Sequence, residues 1–170
     1  SKDIPARAVR KEVLYSLDLA ISESDKSDFT SLVIGVVYLY KEDYCLYIHP
    51  NPVNERLTFP ETVSLVCQYY GTGKCQQNTP KRVLVEDVAY QKALLQQLKS
   101  DNSSMIITGI KPKGDKRARL AISGQAMKAN RVWFPTGGIK DLKNQMIGFG
   151  SEKHDDLVDA FSQLVNYFTT

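Results

Sequence analysis

The sequence predicts an α/β domain: a central mixed sheet, with an antiparallel meander extended by parallel strands, flanked by helices. Three observations predict it. Residues 13–20, 30–40 and 44–48 are successive strand-type runs joined by short connections, the pattern of a meander. From residue 81 onward, short apolar runs alternate with helical periodicity, the pattern of an α/β sheet. A chain of 170 residues, 42% of them hydrophobic, can bury one core, so residues 1–170 read as a single domain.

Taken in order, the first strand alternates so that Leu14, Ser16, Asp18 and Ala20 share one face, and Val13, Tyr15, Leu17 and Leu19 the other. It is a strand with an acid in it. The polar run 22–28 reads as a loop, and 30–40 is nearly continuously apolar, as for a strand covered on both faces. Residues 49–59, with Pro50 and Pro52, read as irregular, and Thr58 before Pro60 and Glu61 opens a helix to about residue 70. The loop that follows contains Gly73-Lys74. A phosphate-binding loop would need Gly where Gln68 stands and Ser or Thr where Cys75 stands, so a nucleotide site is rejected.

Next come a short buried-type strand, 83–86, ending in Glu86, a helix over about 88–99 and a strand at 105–108. Glu86 and Asp87 would face opposite ways if the strand continues through both, so only one of them looks to Asp18's side. Ala118, Ala121, Ile122, Ala126 and Ala129 form a helical stripe, Trp133 reads as core or strand, and 139–149 is amphipathic. A last helix carries Leu157, Phe161, Leu164, Val165 and Phe168 at helical spacing.

Composition excludes several classes. A net charge of +3 and a pI of about 8.7 are only mildly basic, so charge distribution must carry any argument for nucleic acid. Cys45, Cys67 and Cys75 make no CxxC pair, which argues against a zinc ribbon or a disulfide framework and for a reducing, intracellular setting. The longest apolar run, 32–40, is too short to span a bilayer, and the first residues lack the apolar core of a signal peptide. The expectation is a soluble cytosolic protein or a piece of a larger chain, with no membrane partner.

The chemistry concentrates in HDDLVDA, where Asp155, Asp156 and Asp159 open the last helix. Acids at a helix start are ordinarily caps and dipole partners. Here, however, Asp18 and Glu86 also sit in or at the end of apolar strands, a costly place unless something cationic balances them. Acids from a first strand, a later strand end and a C-terminal helix converge on one sheet edge only around a cation. Oxygen-only ligands favour Mg2+ or Mn2+ over zinc. Two such ions about 3.5–4 Å apart activate a water and stabilise a leaving oxygen, which suggests phosphodiester hydrolysis. Lys111, Lys113, Lys116, Arg117 and Arg119 cluster around Gly114, and a cationic loop beside an acidic site suits a phosphate backbone. A solvated basic face is the plainer alternative.

Four stretches, SLDLAISESDKSDFTSLVIG, VLVEDVAYQKALLQQL, GDKRARLAISGQAMKANRVWFP and KHDDLVDAFSQL, resemble in order and spacing the nuclease domain of tailed-bacteriophage large terminase subunits. The resemblance implies an RNase H-like fold, with metal ligands falling on Asp18, Glu86 and Asp156. Asp155 and Asp159 match adjacent acidic positions, Asp28 the loop acid, and Lys116 and Arg119 a segment placed to touch DNA. It further implies double-stranded DNA as substrate, concatemeric viral DNA cleaved during packaging, and the infected host's cytoplasm as location. The implied partners are a small terminase subunit, a portal and an N-terminal ATPase. The chain has neither the phosphate loop nor the length for that ATPase, so it reads as an isolated C-terminal domain. Glu86 against Asp87 stays open as second ligand. Other readings are a different RNase H-like nuclease, such as a Holliday-junction resolvase, and a silent DNA- or portal-binding module with structural acids.

On the last helix, residues project about 100° apart. With Leu157, Phe161, Leu164 and Phe168 as the buried direction, Asp159 falls almost opposite it, and Asp155 and Asp156 flank it. Asp159 is therefore expected to matter least. Asp155 is expected to orient a neighbour or bind a second ion.

Overall fold

Strand β1 (Val9–Leu19) carries the sheet, pairing antiparallel with β2 (Asp28–Tyr40) on one side and parallel with β5 (Lys81–Glu86) on the other. The structure is a computed structural model that describes residues 3–19, 28–72, 79–86, 89–101, 104–151 and 154–170. Asp87 and the Gly73-Lys74 loop lie outside the described residues, as does the side chain of Asp28. Beyond β5 lies β6 (Ile107–Ile110), parallel to it; beyond β2 lies β3 (Asp43–Ile48), antiparallel, followed by the parallel β7 (Val132–Trp133). The described residues form a seven-stranded mixed sheet in the order β6-β5-β1-β2-β3-β7, with β4 (Val53–Leu57) also on β2. This is the mixed meander-plus-parallel sheet that the alternation predicts.

Strand β4 corrects the reading of 49–59 as irregular. Asn54, Glu55 and Arg56 pair with Ser31, Thr30 and Phe29 on the first half of β2. Glu55 and Arg56 are exposed, so no apolar alternation marks the strand. Its backbone pairing, not side-chain burial, makes it a strand. Strand β6 begins two residues later than expected, with Met105 buried just before it.

Period-two alternation sends each strand's side chains into two cores. Val13, Tyr15, Leu17 and Leu19 join Val83 and Val85 beneath helices α1 (Phe59–Thr72) and α2 (Ala89–Asp101). Helix α1 starts as its sequence predicts: Thr58 N–H donates to Glu61 Oε2 at 2.7 Å, and Glu61 N–H faces Thr58 Oγ1 at 3.4 Å, a capping box. On the other face, Leu14, Val33, Leu46, Ile48 and Leu84 pack against α3 (Lys116–Lys128), α4 (Lys140–Ile147) and α5 (Asp156–Thr169). Asp18 and Glu86 have the parity of Leu14 and Leu84 and so belong to this second face.

Helix α5 buries Leu157, Val158, Ala160, Phe161, Leu164 and Val165, an arc wider than a single stripe, because it touches the sheet, α3 and α4 together. Its close approach to β2 requires Gly35. A Cβ there would stand 2.8 Å from Leu46 Cδ1 and 2.9 Å from Leu164 Cδ2.

Candidate functional site

The last pair of the β1–β5 ladder is Leu17 with Val85, so Asp18 and Glu86 are the next residues on adjacent parallel strands, about 5 Å apart across the sheet. Both emerge at the carboxyl ends of those strands, where open α/β sheets place ligands. The face of α5 turned away from its apolar arc lies over these strand ends and carries Asp156, Asp159, Gln163 and Asn166 at spacings of three and four. The four acids Asp18, Glu86, Asp156 and Asp159 line one open cleft of about 1370 Å³. That exceeds the roughly 300–1,000 Å³ of a small-molecule pocket and suits a polymer.

The segment after β6 and the first turns of α3 form the opposite wall. Lys111, Lys113, Lys116 and Arg119 line the cleft, whereas Arg117, one position round the helix, is exposed and does not. Lys116 Nζ lies 3.0 Å from Asp155 Oδ2, and Arg119 Nη2 lies 3.7 Å from Asp159 Oδ1. A basic first turn opposes the helix dipole; Asp115 caps α3, accepting from Ala118 N–H at 2.8 Å, and the α5 acids supply the remaining counter-charge. Asp155 precedes α5 but makes no capping bond with its side chain; Gln145 Oε1 accepts from Leu157 N–H instead. Asp155 is therefore not a side-chain cap, while Asp156 and Asp159 stand in the first turn, where the helix dipole favours acids.

Crowding leaves an electrostatic mark. Burial pushes the Asp18 carboxyl up to about 7, helped by the charges of Asp159, Glu86 and Asp156. Burial and Asp155 raise Asp156, and burial raises Asp159 despite its bond to Lys116. Burial works to lower the Lys116 ammonium, yet hydrogen bonds to Asp159 and Asp155 hold it above its usual range. Asp156 Oδ2 is buried without a hydrogen-bond partner among the described residues, a costly arrangement that a cation would relieve.

The surroundings of Asp159 differ from what helical angle alone implies. Asp159 does lie opposite the apolar stripe, but that side faces the cleft rather than bulk water. Its side chain is only 14% exposed, and its charge acts on Asp18 more than that of Glu86 or Asp156. Asp155 is paired to Lys116 at the rim and is not among the residues lining the cleft.

All-oxygen donors on a partly buried surface fit a hard divalent cation. Among the described residues no group of three acids is yet gathered as a metal cage. The carboxylates share a cleft, with Asp159 drawn toward Lys116.

The model of the terminase RNaseH-like domain family matches residues 16–168. The chain belongs to that family. Its fold is also that of the large terminase nuclease from thermophilic phage G20c. The crystal structure of that nuclease with bound magnesium is 14% identical, with a TM-score of 0.55 over 96% of this chain and 84% of that chain. The structure with bound cobalt is 15% identical, with a TM-score of 0.54 over 91% and 81%. No curated protein matches the chain. The terminase RNaseH-like domain thus has its strand-borne acids, Asp18 and Glu86, facing the acids of α5. Sequence reasoning missed Gln163, whose one available signal was its place four residues after Asp159 on the same helical face. No helix among the described residues is long and apolar enough to cross a membrane.

Proposed function

We propose that this domain is a divalent-metal-dependent endodeoxyribonuclease that cuts concatemeric viral DNA during genome packaging. The observation that carries it is the juxtaposition of Asp18, Glu86, Asp156 and Asp159 with a basic wall from α3 across an open cleft. Family membership supports the packaging context.

Asp18, Glu86 and Asp156 would hold Mg2+ or Mn2+, with Asp159 beside them and Asp155 at the rim; Asp87 is the alternative at the second strand. The chemistry such ions would supply when bound is activation of a water and neutralisation of charge on the leaving oxygen, the two-metal arrangement. The chain's own groups do the rest. Lys113 binds a backbone phosphate from the exposed end of the wall, and Arg117 adds charge beyond the rim. Lys116 and Arg119, held by the α5 acids, screen an incoming phosphate from the carboxylates. In the full-length protein an ATPase domain, a small terminase subunit and a portal are the partners, in the infected bacterial host's cytoplasm.

The test is nicking of supercoiled plasmid DNA. The parent should nick and linearise it only with Mg2+ or Mn2+, and Asp18→Asn should do neither. A parent that leaves the plasmid intact with either ion returns the domain to a binding module with structural acids.

A further inference from the structure

We infer that Gln163 is a positioning residue that fixes the spacing between Asp18 and Glu86 and seats the acids of α5 against them; this rests on the metal-dependent nuclease reading. The carboxamide nitrogen of Gln163 lies 3.0 Å from Ser16 Oγ, 3.3 Å from the Leu17 carbonyl and 3.3 Å from the Leu84 carbonyl. Ser16 and Leu17 immediately precede Asp18 on β1, and Leu84 stands two residues before Glu86 on β5. One side chain therefore reaches both acid-bearing strands just before the ladder ends at Leu17 and Val85.

The two N–H groups of the amide are shared among these three acceptors. Ser16 Oγ in turn donates to the Ala160 carbonyl at 2.7 Å, returning the chain of bonds to α5. Gln163 follows Asp156 by seven residues and Asp159 by four, so it lies on their face of the helix. Sliding α5 by one residue would strand the amide in a partly buried site and displace Asp156 from Asp18 together. An apolar side chain of equal length would fill the same space but could not register the strands. Metal ligation tolerates only about 0.5 Å of misplacement, which makes this difference consequential.

Gln163→Met keeps length and approximate volume and removes both donors. Expected is an unchanged fold by circular dichroism, Mn2+ binding without DNA weakened by about 10- to 100-fold, as for outer-shell partners of metal ligands, and a matching rise in the Mn2+ concentration that half-saturates nicking. The KM for DNA at saturating metal should not move, which separates positioning from general damage. Mn2+ affinity equal to the parent's overturns the inference. Should Gln163→Met fail to fold, Ser16→Ala decides: it leaves the two carbonyl anchors and should weaken Mn2+ binding in the same direction but less, and parental affinity there overturns the inference. A parent that neither binds Mn2+ nor nicks DNA removes the nuclease reading, and this inference with it. A parent that does both, with Gln163→Met indistinguishable, removes this inference alone.

Discussion

The Lys116 ammonium bridges two carboxylates of the acidic helix, lying 3.0 Å from Asp155 Oδ2 and 2.5 Å from Asp159 Oδ2. A basic residue that sequence alone assigns to DNA is thus already engaged across the cleft. Its bridge joins the start of α3 to the start of α5 and makes the two walls electrostatically dependent on each other.

Removing that bridge should loosen the fold in a metal-dependent way. Lys116→Ala leaves Asp159 desolvated without its closest cation, while the Lys116 side chain is 50% exposed and its charge partly screened by water. A loss of about 1 kcal/mol in urea unfolding at pH 8 is expected, smaller in acid, where the carboxylates are protonated. Added Mg2+ should restore most of it. Identical urea midpoints for parent and variant at pH 8 would show the bridge to be energetically silent.

The exposed part of the wall should behave differently. Lys113 lines the cleft and makes no ion pair among the described residues, so Lys113→Ala is expected to flatten the salt dependence of DNA binding by about one unit of log-log slope. The effect should be equal for unrelated DNA sequences. An unaltered slope would make the cluster an ordinary solvated surface.

Asp18 gives a pH signature. Its folded carboxyl titrates near 7 against an ordinary value of 3.8, so between those values the folded state binds more protons than the unfolded one. Stability contributed by the protonated group is present below about pH 4 and lost as pH rises through 7. The metal-free protein should therefore melt lower at pH 8 than at pH 5, and Asp18→Asn should flatten the difference. Divalent ions should raise the melting temperature more at pH 8 than at pH 5. A parent and Asp18→Asn with superimposable pH profiles would mean that Asp18 carries no such load.

The acids themselves should separate function from folding. Asp18→Asn, Glu86→Gln and Asp156→Asn are each expected to abolish nicking, by 100-fold or more on the order of lost catalytic charge stabilisation, while staying folded. Relieved repulsion should leave Asp18→Asn at least as stable as the parent. Asp159→Asn, now placed in the cleft, should lower activity by an intermediate factor rather than spare it. Full activity in Asp159→Asn would restore the sequence-based ranking.

Gly35 tests how the helix that carries these acids is seated. Gly35→Ala would drive a methyl group to within 3 Å of Leu46 and Leu164, and overpacking of this kind costs about 1–3 kcal/mol. Weakened Mn2+ binding should accompany the lower melting temperature, since α5 must shift. A variant as stable as the parent would show that the interface has room the geometry denies.

The sequence by itself determined the strands β1, β2, β3 and β5, because alternation along β1 and short apolar runs in the others report burial against the two cores. It also determined that acids stand on β1, at the end of β5 and at the head of α5, since their positions follow from those elements. Only the tertiary structure decided β4, whose polar residues become a strand by backbone pairing with β2 and carry no burial pattern of their own. Only it decided that Asp159 lines the cleft. Helical angle says which side chains point away from an apolar stripe, but whether that side meets water or a cleft depends on where α3 and the β1–β5 ends lie. The pairing of Lys116 with Asp155 and Asp159 was hidden for the same reason: the partners are 39 and 43 residues apart, and charge–charge contact over such separations is set by packing rather than by spacing along the chain.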